Sequence, residues 1–250
     1  MAEEADLVQA IEAAQTADIV IIGEFHDNPD HHRIQAALVD AIAPSAIVFE
    51  MLSDDQAARI TPEISRDAET LGPLLDWDDS GWPDIAFYAP IMAAAPQAAI
   101  VGTGPRDWTQ TPSGVLMTAL PEDAGHFGYG DPLPADQQQA REALQAEAHC
   151  DMLPPEQLPM MVDIQRQRDV VFAAATLDAL LRHGSPVVLI TGNGHARTDW
   201  GVPAALAKAS PNTAVLSIGQ TEGDAALSGT FDLFIDAPAP VRGDPCDAFR

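Results

Sequence analysis

Six short apolar runs punctuate the 250-residue chain, and several of the stretches between them carry helical periodicity. Residues 18–22 (Asp-Ile-Val-Ile-Ile) are β-branched with no period-2 alternation, the pattern of a strand buried on both faces of a parallel sheet. The runs at 46–50, 98–102, 187–191, 213–218 and 231–235 are read as the other strands. After the first, Asn28 and Pro29 predict an N-cap and a first helical position. Ile34, Ala37, Leu38, Ala41 and Ile42 then recur at helical spacing, so a helix over 29–43 turns one face to a core. Further helices are predicted over 4–16, 135–149, 160–182 and 203–209. Strands alternating with helices give an α/β fold, a mostly parallel sheet flanked by helices in a single domain over 1–250. Residues 51–95 and 131–165 break that rhythm and are expected to form a smaller helical subdomain from two insertions. Trp77, Trp82 and Tyr88 within the first insertion are read as local core. The Gly- and Pro-rich stretch 106–135 is expected to be mobile surface chain.

Charge narrows the partners. The chain has 38 acidic and 12 basic residues, a formal net charge of −26, and Lys208 as its only lysine. Nucleic acid needs a basic stripe and anionic membrane a basic patch; neither is present. No run of about 18 apolar residues exists, so no membrane span is expected. The start, Met-Ala-Glu-Glu-Ala-Asp, has no secretory pattern, so a cytoplasmic protein is expected unless a leader was removed. Cys150 and Cys246 either pair in an oxidising compartment or stay as thiols in a reducing one.

Chemistry concentrates where strands end. Glu24, His26, Asp27, His31 and His32 crowd the carboxyl end of the first strand, where open α/β sheets bind ligands. Glu50 closes the second strand, and Gly192-Asn-Gly-His195 follows the strand at 187–191. Glu24 and His26 lie at i and i+2, on one side of an extended chain. With Glu50 and His195 they make an oxygen and nitrogen set suited to a divalent metal ion. The same four groups also suit metal-free hydrolysis, one imidazole activating water and a carboxylate orienting it. The bland alternative is a polar network that satisfies the strand ends.

Gly-Glu-Phe-His at 23–26, the strand ending in Glu50, and Gly-Asn-Gly-His at 192–195 together resemble the ChaN-like haem-binding uptake family of the Tiki/TraB/erythromycin-esterase superfamily. Arg166-Gln-Arg-Asp169, His149-Cys150 and Asp244-Pro-Cys246 add to the resemblance, which runs from about residue 17 to the C-terminus. It implies a parallel-sheet fold with a helical lobe, and haem held at a cleft or a homodimer interface in bacterial iron uptake. It also implies an exported protein, periplasmic or membrane-anchored through a lost leader. Other branches of the superfamily are hydrolases, so ester or peptide hydrolysis by Glu24, His26, Glu50 and His195 is the alternative. Around the motif, His31 and His32 are candidate iron ligands, or exposed surface histidines. Arg33 and Arg168 suit haem propionates as bidentate forks, with structural ion pairs as the alternative, above all for Arg168. Tyr129 is a further candidate for ferric iron, with Tyr88, His126, Met160 and Met161 behind it. Cys-x-x-Cys-His is absent, which excludes covalent attachment of haem by that route.

Overall fold

A computed structural model describes residues 2–103, 109–111, 114–116, 120–223, 226–243 and 246. The chain runs α1 (Ala2–Ala14), β1 (Ile19–Ile22), α2 (Pro29–Ile42), β2 (Ala46–Phe49), α3 (Asp54–Ala57), α4 (Ala68–Leu74), α5 (Ile85–Ala94) and β3 (Ala99–Gly102). A small antiparallel pair, β4 (Thr109–Thr111) and β5 (Gly114–Leu116), comes next. Then follow α6 (Ala135–Ala148), α7 (Leu158–His183), β6 (Val187–Ile190), α8 (Asn193–Ala196), α9 (Val202–Ala209), β7 (Val215–Glu222) and β8 (Leu233–Ala237). The main sheet has six strands in the order β3-β2-β6-β1-β7-β8, every pair parallel.

The strands are apolar throughout because both faces are covered. Val20, Ile22, Ile47, Phe49, Val188 and Ile190 point into one layer with Ile34 and Leu38 of α2 and Ile91 and Met92 of α5. Ile19, Ile21, Val48, Val187 and Leu189 point into the other, against Val170, Phe172 and Ala173 of α7. Alternation exists in space but not in polarity, the signature expected of a doubly covered parallel sheet. Asn28 caps α2 as its sequence predicts, its side chain accepting from the Asp30 and His31 backbone N–H groups.

The two stretches expected to make one lobe lie on different sides of this sheet. Residues from 51–95, including Leu71, Trp77, Tyr88 and Ile91, belong to the first layer. Helix α7 fills the second, and α6 packs on α7. Trp77 and Tyr88 are core residues, as read from the sequence. The stretch from 120 to 134 is not loose: Ala124 and Phe127 sit on a short 3₁₀ turn and are buried in the second layer. One aromatic side chain anchors what glycine and proline alone suggested was mobile. Residues 106–108, 112–113 and 117–119 of that Gly- and Pro-rich stretch, and the Asp244-Pro245 part of the tail motif, lie outside the described residues.

Candidate functional site: a carboxylate–imidazole cleft

Strands β2, β6 and β1 are neighbours, and the residues just past their carboxyl ends are Glu50, Gly192 to His195, and Glu24 to His26. Parallel strands in register bring all three segments to one edge. Glu24 is buried and nearly saturated. Its Oε1 accepts from the Tyr88 hydroxyl (3.1 Å) and pairs with His26 Nδ1 (2.7 Å), while Oε2 accepts from Gln35 Nε2 (2.7 Å). Burial beside this carboxylate pushes the Tyr88 phenol far up, so it stays a neutral donor. His26 therefore spends Nδ1 on Glu24 and places Nε2 beside Gly192, its ring edged by Trp82 at 4.9 Å. Burial draws the His26 pKa down, but the Glu24 bond and the charge of Glu50 outweigh it, and the net shift is upward.

Glu50 is buried and ionised. Arg168 donates to Oε1; the Thr191 hydroxyl (2.7 Å) and the Gly192 backbone N–H (2.8 Å) donate to Oε2. Burial opposes its charge, yet Arg168, His195 and His26 together hold its pKa well below the usual carboxylate range. His195 Nε2 stands 3.9 Å from Glu50 Oε1, and its Nδ1 bonds Asp169 Oδ1 at 2.7 Å. Burial pushes the Asp169 pKa up, against the pull of His195. Gly192 leaves room for these side chains: a Cβ there would come within 3.0 Å of His26 Nε2, close enough to press the ring.

Two imidazoles, each oriented by a carboxylate, thus flank Glu50. They line a cleft of ≈ 440 Å³, within the ~300–1,000 Å³ range of ligand pockets. Its walls are mixed. Phe25, Leu144, Val162, Trp200 and Leu227 supply apolar surface; Arg168, Asp169 and Arg141 join the charged floor.

The structure brings Glu24, His26, Glu50, His195 and Arg168 together and leaves four other candidates outside the cleft. His31 is fully buried: Nδ1 accepts from the Phe25 backbone N–H (2.9 Å) and Nε2 donates to the Thr221 carbonyl (3.1 Å). Burial, against the opposing Thr221 carbonyl, lowers its pKa and keeps the ring neutral. His32 is as deeply buried, with Nε2 on the His26 carbonyl (2.9 Å) and Nδ1 on Gln35 Oε1 (3.2 Å). Neither ring has a nitrogen left for iron, and neither is the exposed surface histidine that was the alternative. Arg33 is exposed and pairs with Asp30 on its own helix at 3.2 Å. Tyr129 lines a separate, smaller cavity and donates to Asp163 at 3.2 Å. Burial and Asp163 raise its pKa, against phenolate formation.

A divalent metal centre is likewise not supported. Among the described residues no group of three or more His, Cys, Asp or Glu side chains is placed to hold one. The reason is visible in the bonds: the oxygens of Glu24 and Glu50 are taken up by protein donors. Asp169 was overlooked as a site residue. Its signal was a carboxylate placed directly before Val170-Val-Phe-Ala-Ala on a long helix, where a charge is costly to bury unless partnered. Cys150 and Cys246 form a disulfide with Cα atoms 5.7 Å apart, which resolves the open choice between bridge and thiols.

The same arrangement of chain exists elsewhere. The structure of ChaN of Campylobacter jejuni, described for its cofacial haem binding, superposes with TM-score 0.64 at 18% identity, over 92% of this chain and 90% of that one. The type III effector HopBA1 superposes with TM-score 0.50 at 15% identity, over 94% of each chain. These likenesses show a shared fold. A search of curated proteins finds no match. The model of the haem-binding uptake family, Tiki superfamily, ChaN, matches residues 10–206 and so takes in Glu24, His26, Glu50, Asp169 and His195; the chain belongs to that family.

Proposed function

We propose that the protein binds haem in the cleft at the carboxyl edge of its sheet and serves bacterial iron uptake. One observation carries the reading: His26 lines a cleft of apolar walls and charged floor while Glu24 fixes its Nδ1. A carboxylate behind an imidazole orients the ring and raises its basicity, the usual support of a metal-bound histidine. His26 would hold the iron, and the apolar walls would cover the porphyrin faces. Arg168 stands at the same floor for an acidic group. The bound haem would supply the iron centre itself. The cofacial haem binding described for ChaN of Campylobacter jejuni supports the ligand class, and a homodimer remains part of this reading. The Cys150–Cys246 bridge supports an oxidising compartment such as the periplasm.

The test is a hemin titration followed at the Soret band. Wild type and Tyr129→Phe are expected to bind alike, and His26→Ala to bind at least about tenfold more weakly. Wild-type affinity in His26→Ala overturns the assignment.

The His195–Asp169 pair favours a second reading, hydrolysis of an ester or peptide. Asp169 holds the ring in one tautomer, and Nε2 faces the Glu50 side of the cleft, as a general base for water needs. Turnover of an ester or peptide panel, lost in His195→Ala but kept in the presence of chelator, identifies this chemistry.

A further inference from the structure

Arg141 on α6 is the anomaly of the second layer. The chain carries 38 acidic residues, yet this arginine, 9% exposed, has no carboxylate at ion-pair distance among the described residues. Its Nε has no hydrogen-bond partner, and Nη2 makes only a 3.5 Å contact with the Trp200 carbonyl. Another buried arginine, Arg66, likewise leaves Nε without a partner, but its Nη1 and Nη2 donate to three backbone carbonyls at 2.7–3.0 Å. Arg141 has nothing comparable. It lies against the Trp200 ring (5.0 Å), and burial lowers its pKa to about 10.

Arg141 also lines a second cavity of ≈ 130 Å³, next to the haem cleft, and two more cations line it: Arg166, which donates to the Asp131 carbonyl at 2.7 Å, and Lys208, whose exposed ammonium pairs with the Asp131 carboxylate at 3.1 Å. The two acids at its wall are engaged elsewhere, Asp169 with His195 and Asp199 with Nε and Nη2 of Arg197. Gly201 and Ala204 place the start of α9 at the same cavity. That helix has no side-chain cap, and it cannot acquire one. A Cβ on Gly201 would fall 2.2 Å from the His195 carbonyl oxygen. An uncapped helix start keeps positive dipole and N–H groups for an anion; Pro203 has none, so Val202 and Ala204 carry them here.

We propose that this second cavity is a binding site for a small oxyanion, a carboxylate or a phosphate, anchored by Arg141 and assisted by Arg166, Lys208 and the N-terminus of α9. A guanidinium fork matches both anions in geometry, and the cavity volume suits such a group alone. Asp169 and Asp199 favour the Arg141 charge only from beyond ion-pair distance, and the ligand supplies the close counter-ion they do not.

Thermal unfolding of the full chain, without hemin, tests this with inorganic phosphate, acetate and sodium chloride at matched ionic strength. Wild type is expected to gain about 2–4 °C, saturably, with phosphate or acetate over chloride. A response to phosphate alone, or to acetate alone, assigns the site to that anion. Arg141→Gln is expected to be at least as stable as wild type in chloride, since an uncompensated buried charge is removed. Its half-saturating concentration should rise at least about tenfold. Lys208→Gln, at an exposed side chain, should weaken the response less. No saturable response in wild type, or an undiminished one in Arg141→Gln, overturns the proposal. So does Arg141→Gln being markedly less stable in chloride, which would make the arginine a structural prop. Hemin binding plays no part in these readings, so they stand or fall apart from the haem assignment.

Discussion

Two pairs of histidines lie beyond the carboxyl ends of the strands and differ in what their nitrogens do. His26 and His195 each give one nitrogen to a carboxylate and keep the other toward the cleft. His31 and His32 give both nitrogens to oxygens or N–H groups of the fold. Proximity in sequence to the Gly-Glu-Phe-His motif does not separate them. What separates them is the secondary structure: His26 sits on the extended segment beyond β1, His31 and His32 in the first turn of α2, whose side chains pack back against β7 and α5. A histidine is available for chemistry when the structure satisfies only half of it.

The largest expected effect that tests this division is on stability. His32→Ala removes a buried ring and leaves the His26 carbonyl and Gln35 short of a partner, which should cost about 3–5 kcal/mol in urea unfolding. His26→Ala should cost about 1 kcal/mol or less, because its ring is part-exposed. Equal losses would erase the distinction between the two pairs.

Intermediate in size is the response to pH, where His31 and His26 move in opposite directions. His31 has a folded pKa below 6.5, so the unfolded chain takes up its proton first. Stability should fall as pH drops below 6.5, by at most about 1.4 kcal/mol per pH unit, until the folded pKa is reached. His26 has a folded pKa above 6.5. Its contribution to stability is full below 6.5 and is lost as pH rises through the folded value. Iron needs the deprotonated Nε2, so hemin affinity should rise across that same interval. Unfolding and hemin titrations between about pH 5 and 9 check both signs.

The smallest effect belongs to Arg33, whose charge lies on the outer face of α2. Arg33→Ala should change stability by no more than about 0.5 kcal/mol and leave hemin binding untouched, since its ion pair with Asp30 is exposed. A clear loss of hemin affinity there would restore the arginine to the site.

Much of the architecture was legible because parallel strands advertise themselves. Ile19–Ile22, Ala46–Phe49 and Val187–Ile190 are apolar on both faces, and a carboxylate or glycine turn directly after each marks the edge where they meet. Glu24, His26, Glu50 and His195 followed from that rule. The burial of His31 and His32 was not legible, because Thr221, Phe87 and Tyr88, which enclose them, come from distant parts of the chain. Asp169 and Arg141 were missed for a related reason: a charged residue on a helix reads as solvent-facing until its neighbours are known. The loop around Phe127 was misjudged because Gly and Pro report local backbone freedom, and one buried aromatic side chain overrides it.

Helix α6 forms one side of the cleft through Leu144, Gln145 and Ala148, yet Arg141 is its one buried residue, and the cystine at Cys150 pins its far end. The sheet edge, by contrast, is wedged on every side. Guest selectivity and reactive chemistry therefore reside in parts of very different tolerance. Substitutions along α6 can refit the enclosure to another occupant at small cost to folding, while the imidazoles and acids at its base stay where three strands leave them.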